Sequence, residues 1–199
     1  MPRKQHEPWF KAEAHAIAAI DIARSTNNWV ALSSEIAHLS EARLSRAKAA
    51  HNGKRVQLVQ SNEEVELVNE MGRYLVQPPL VARNAALLDN ALKSRGISGV
   101  VLCREPKTSL GLCPVVALGS GVTVRVQVEE PKNSCKPTCA WFDHAIEELG
   151  NHVLERLDQN SSIQRQLDYL LAHFSAIPTY VGGYQTAIDL CNTLENKSV

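Results

Sequence analysis

The five cysteines carry the most specific chemistry in this 199-residue chain. Cys103, Cys113, Cys135 and Cys139 lie in its central part, and Cys191 lies far from them. Structural zinc takes four such ligands in a tetrahedron, each sulfur about 2.3 Å from the metal. Metal binding also needs the thiolate, which the N-terminus of a helix favours. The spacing argues the other way. Nine residues separate Cys103 from Cys113 and three separate Cys135 from Cys139, whereas zinc knuckles use pairs two residues apart. Cysteine is also a small and commonly buried hydrophobe, so the competing reading is ordinary core and loop thiols. His144, five positions after Cys139, can replace one sulfur, and Cys191 sits on an apolar seam and reads as core.

Two other constellations bear on function. His144, Glu148 and His152 recur at every fourth position and so share one helix face. A solvated His/Glu face explains them as well as a metal does, and the tighter HExxH pattern of zinc enzymes is missing. The second is the basic run Arg43, Arg46, Lys48, His51, Lys54 and Arg55. Clustered cations are what phosphate contacts require, so Arg43, Arg46, Lys48, Lys54 and Arg55 are the candidate nucleic-acid ligands. Glu35 and Glu41 dilute that cluster, and no aromatic is interleaved for base stacking. Cations near a helix C-terminus are favoured by the backbone dipole whatever they bind. Nucleophilic catalysis finds no GxSxG elbow, no P-loop and no GxGxxG after a strand. What is left for it is Cys139, with seven histidines as candidate bases.

These residues need elements to position them. At 44% hydrophobic and 21% charged the chain has the make-up of a packed protein, with aromatics at only 5%, so its core rests on Leu, Val, Ile and Ala. Basic and acidic residues number 21 each, so no overall field draws the molecule toward nucleic acid or an anionic membrane. No apolar run approaches the roughly 20 residues of a membrane span. MPRKQHEPWF lacks the apolar stretch of a secretory signal, so the expected compartment is the cytoplasm.

The first 53 residues read as a helical segment. Residues 9–24 are Ala-rich and apolar on several sides, with Ile17, Ile20 and Ile22, which calls for cover from the fold or from another subunit. After Thr26-Asn27-Asn28, the residues Trp29, Leu32, Ile36 and Leu39 mark one face of a second helix, which stops at Asn52-Gly53. Residues 54–199 read as an α+β core, within one domain overall or as a second unit. Arg55–Gln60 suits a short strand. Ser61 and Glu64 have capping-box spacing and open a helix whose stripe is Val65, Val68, Met71 and Leu75, closed by Pro78-Pro79. Leu80–Arg95 follows as a helix with Gly96 as its cap. Gly99–Cys103, Cys113–Leu118 and Val122–Glu129 read as three strands, the last two joined by the turn Gly119-Ser120-Gly121. Three helical seams follow, on Phe142–Leu157, Ile163–Phe174 and Tyr180–Cys191.

The expected fold is α+β: mostly helical, with a small central antiparallel three-stranded meander packed against helices. The expected function is non-catalytic binding or assembly, in a self-associated or larger complex, with nucleic acid as a further partner and no membrane. The alternative is a small thiol- or metal-dependent enzyme built on Cys103, Cys113, Cys135, Cys139 and His144; the cofactor is left open, with structural zinc on the four cysteines as the candidate.

Overall fold

Residues 8–51 and 55–198, described by a computed structural model, begin with a helical hairpin of α1 (Pro8–Ser25) and α2 (Trp29–Ala50). The break between them is local chemistry. Asn27 takes the left-handed conformation (φ 51°) that asparagine tolerates better than most residues. The Asn28 side chain then accepts from the Ala31 N–H at 3.0 Å and caps α2.

The chain continues through β1 (Val56–Val59), α3 (Asn62–Leu67), β2 (Gly72–Val76), α4 (Ala82–Ser94), β3 (Gly99–Arg104), β4 (Cys113–Leu118) and β5 (Thr123–Val128). It ends with α5 (Cys139–Glu155), α6 (Ile163–His173) and α7 (Val181–Ser198). The class is α+β, with seven helices and a five-stranded mixed sheet among the described residues. The expected meander is present as β3, β4 and β5, paired antiparallel. Its second turn closes through the Gly119 N–H on the Val122 carbonyl at 2.9 Å, with Gly121 at φ 77°. It is only part of the sheet. β1 and β2 extend it in parallel pairing, in the order β1-β2-β3-β4-β5.

The helix expected through Leu75 is therefore corrected. Its capping box forms, with Ser61 Oγ accepting from the Glu64 N–H at 3.2 Å and Glu64 Oε2 accepting from the Ser61 N–H at 3.3 Å. The helix nevertheless stops at Leu67, and Gly72–Val76 is a strand buried along its whole length. A parallel strand covered on both faces shows no two-residue alternation, so its apolar run passes for part of a helix stripe.

Alternation along the strands sorts the core into two layers. Val59, Tyr74, Val76, Cys103 and Val116 face α3 and α4, meeting Val65, Leu88 and Leu92. Leu75, Leu102, Val115, Ala117, Val124 and Val126 face the other way. There they share one apolar cluster with Leu32 and Ile36 of α2, Phe142 of α5, Leu167 of α6 and Tyr184 of α7. No helix among the described residues is long and apolar enough to cross a membrane.

One close approach holds the C-terminal layer. Gly150 in α5 faces the Tyr180 ring, whose hydroxyl donates to Asn151 Oδ1 at 2.7 Å. A Cβ on Gly150 would lie 2.1 Å from Tyr180 Cγ. Glycine to alanine inside a helix normally stabilises by about 1 kcal/mol. Here overpacking against a rigid ring outweighs that gain, at about 1–3 kcal/mol. Gly150→Ala is expected to lower the urea unfolding midpoint, and an unchanged or raised midpoint would contradict the packing described.

Candidate functional site

The α2 face that begins with Trp29, Leu32, Ile36 and Leu39 continues, at the same alternation of three and four, onto Arg43 and Arg46. These two arginines therefore point inward with the core stripe. Their side chains are 7% exposed, and that of Glu13 on α1 is 10% exposed. Arg43 Nε donates to Glu13 Oε1 at 2.7 Å, and Arg46 Nη1 lies 2.9 Å from Glu13 Oε2. Arg43 Nη1 also donates to the Phe174 carbonyl at 2.7 Å and to the Tyr184 hydroxyl at 3.0 Å. That hydroxyl donates in turn to the Pro178 carbonyl at 3.0 Å. The Arg46 guanidinium sits 5.4 Å from the centre of the Phe10 ring.

Two cations thus share one carboxylate, and one positive charge is left over inside the protein. Removing an ion from water costs several kcal/mol unless it is fully paired, so such an excess is a strong local feature. Arg46 has no polar partner except Glu13 among the described residues, although a guanidinium carries five N–H donors.

Beside the arginines the sheet is split. β3 pairs with β2 from Gly99 to Cys103, but with β4 only at Cys103↔Val116 and Arg104↔Val115. The edges formed by Gly99–Leu102 and Ala117–Leu118 diverge around a cleft of about 50 Å³. Arg43 and Arg46 line it on the α2 side and Asp89 and Lys93 on the α4 side, the latter two paired at 2.6 Å. Thr179 lines it too, with a buried hydroxyl that has no hydrogen-bond partner among the described residues. Buried polar atoms in native proteins are nearly always satisfied, so this hydroxyl is an exception.

This geometry removes Arg43 and Arg46 from the nucleic-acid expectation. Arg43 and Arg46 are interior ion-pair residues and present no charge to a phosphate backbone. Lys48 and Arg55 are exposed, as is His51, while Lys54 lies outside the described residues.

The four sulfurs do not converge either. Opposed residues of an antiparallel pair share a face, so Cys103 shares that of Val116. Cys113 stands three residues from Val116 and therefore faces the other way. Accordingly Cys103 packs beneath α4, whereas Cys113 and Cys139 pack with the opposite core. Cys113 and the exposed Cys135 line a groove at the ends of β1, β2 and β3. Its polar groups are already engaged: Arg104 donates to the neutral Gln77 Oε1 and Ser134 carbonyl, and Lys107 meets Glu130 at 2.5 Å. Hydrogen bonds from Lys107 and Ser134 hold the Glu130 carboxyl below its usual range. His144 is exposed on α5, and Glu148 and His152 are partly exposed. Among the described residues no three His, Cys, Asp or Glu side chains group closely enough to hold a metal ion.

Burial, aided at Cys103 by Glu105 and opposed at Cys191 by Arg24, pushes both the Cys103 and Cys191 thiols from 9.0 up to about 11. Their neutral form is favoured in the fold. The stability they contribute is full below pH 9 and is lost as pH rises toward 11, by about 2–3 kcal/mol for each thiol. Urea midpoints measured from pH 8 to pH 11 are expected to fall more steeply for the wild type than for Cys103→Ala/Cys191→Ala. Parallel slopes would overturn that account.

No protein-family model matches this chain, and neither a curated protein nor a solved structure matches it.

Proposed function

We propose that this protein is a binding protein whose ligand is a small anion held in the cleft between β3 and β4. The observation that carries the reading is the buried cationic excess. Arg43 and Arg46 divide Glu13 between them beside a cleft that both of them line. An anion placed there would neutralise the surplus charge and take up free guanidinium donors as charge-assisted hydrogen bonds, which are stronger than neutral ones. Low local polarity strengthens such bonds further.

Arg46→Met tests this without dismantling the site. It leaves Glu13 paired with Arg43 and preserves most of the buried volume. A saturable rise in thermal midpoint with added acetate or phosphate, at constant ionic strength, is expected for the wild type. Binding at a hundred times Kd stabilises by about 2.7 kcal/mol. The rise is expected to vanish in Arg46→Met and to persist in Arg83→Met, whose arginine is exposed on α4. A wild type that ignores both anions, or an Arg46→Met variant that responds equally, would remove the proposal.

A second reading, self-association, is favoured by apolar side chains left open on the first hairpin. Ile17, Ile22 and Val30 are 40%, 66% and 55% exposed. Contiguous exposed apolar surface commonly marks a contact with another chain. Sedimentation velocity at micromolar concentration is expected to show a dimer or larger species that Ile22→Glu/Val30→Glu returns to monomer. A wild type that sediments as a monomer excludes this reading.

A further inference from the structure

We infer that the anion is a short-chain monocarboxylate, an assignment that rests on the anion-binding reading and narrows it. Three features of the cleft lead there.

The first is charge. Arg43, Arg46 and Glu13 leave a surplus of one, and the Asp89–Lys93 pair across the cleft adds none. A singly charged ligand brings the site to neutrality. A doubly charged phosphate would turn the surplus into a buried deficit and would face Glu13, 2.7–2.9 Å behind the guanidiniums. Uncompensated buried charge is the most unfavourable state a site of this kind can take.

The second is the wall. Away from the arginines, and apart from Asp89, Lys93, Ser175 and Thr179, the wall is apolar, with Ala47, Ala85, Val100, Leu102, Val116 and Ala117. An oxyanion with oxygen on every side would set polar atoms against these side chains without partners. A carboxylate places both oxygens at one end, where the planar fork of a guanidinium matches them, and leaves a hydrocarbon tail for the rest.

The third is size. The cleft has about 50 Å³ of open space. Roughly 10–15 Å³ by this measure holds one water, so about three to five water-sized groups fit. That is the size of acetate or propionate. Longer chains have no room unless the strands part further, and the Cβ position at Gly99 is already only 2.6 Å from Leu92 Cδ1.

The test is a calorimetric titration of the full chain at constant ionic strength and pH 7.5. The ligands are acetate, propionate, butyrate, octanoate, phosphate and sulfate, with propionamide as the uncharged isostere. The expected result is one site per chain for acetate and propionate, weaker binding of butyrate, and none of octanoate or propionamide. Phosphate and sulfate are expected to bind at least tenfold more weakly than propionate. If phosphate or sulfate binds as tightly as propionate, the carboxylate assignment fails while the anion-binding reading stands. If octanoate binds best, the size argument fails and the assignment to short chains goes with it. If no anion binds, both proposals fall together. Arg46→Met, titrated with propionate, is expected to lose binding at least tenfold. An unchanged affinity there would move the ligand to another site and overturn the assignment.

Discussion

A single carboxylate, that of Glu13, is shared by two guanidiniums in the interior, and much of the molecule is organised around it. It binds α1 to α2 through Arg43 and Arg46. Arg43 then carries the connection to the Phe174 carbonyl and to Tyr184 on α7, two segments more than a hundred residues away in sequence. The hairpin is thus fixed to the C-terminal helices by directional bonds as well as by apolar contact. Burying three ions has a large desolvation cost, and replacing such groups with apolar residues is often neutral or stabilising. The arrangement is hard to explain by stability alone, and its imbalance of charge is the ground of the anion-binding proposal.

The cleft exists because the two ends of β4 are held by different partners. At its Cys113 end β4 lies against β3, where the ladder reaches Val116. At its other end the β4–β5 turn is tied to the α6–α7 connection, with the Ser120 N–H donating to Ser175 Oγ at 2.8 Å. Gly119 approaches so closely there that a Cβ would lie 2.8 Å from the Ala176 backbone nitrogen. β3, meanwhile, is paired with β2 from its first residue. The strands therefore part toward the Gly99 and Leu118 ends. The same segment that anchors the turn lines the cleft with Ser175 to Thr179, and its Phe174 carbonyl holds Arg43.

What could be read from the sequence was local chemistry. The Asn28 cap, the Ser61/Glu64 capping box, Gly96 at φ 67° after α4 and the Gly119–Gly121 turn all follow from residues within four positions of one another. β2 was not legible because a fully buried parallel strand carries no alternation. The site was partly legible. A run of cations at a helix end has a sufficient explanation in the backbone dipole, which hides its inward members. The 3-4 stripe from Trp29 through Leu39 nevertheless lands on Arg43 and Arg46 when extended, and that continuation was the available signal. Their counter-ion Glu13 lies thirty residues earlier, on another helix. No pattern within either helix links the two.

The cysteines show how little separates the two outcomes for the central meander. Chain reversal does bring β3 and β4 side by side, as the turn residues imply, yet reversal alone does not decide which sulfurs meet. Side chains alternate with a period of two, so the face of Cys113 relative to Cys103 depends on whether the register offset is odd or even. With Cys103 opposite Val116 the separation to Cys113 is three, and the sulfurs point to opposite layers. A one-residue change in the Glu105–Leu112 connection, with the pairing shifted to match, would put both on one face. Composition and turn signals fix the reversal but leave that parity open, because both faces of β3 and β4 are apolar and the closure of the loop at Thr108 bears on it. The Thr108 N–H reaches the Leu112 carbonyl at 2.9 Å, and its hydroxyl accepts from the Leu112 N–H at 3.1 Å. The hydroxyl of one threonine thus helps hold the register that keeps Cys103 and Cys113 in separate cores.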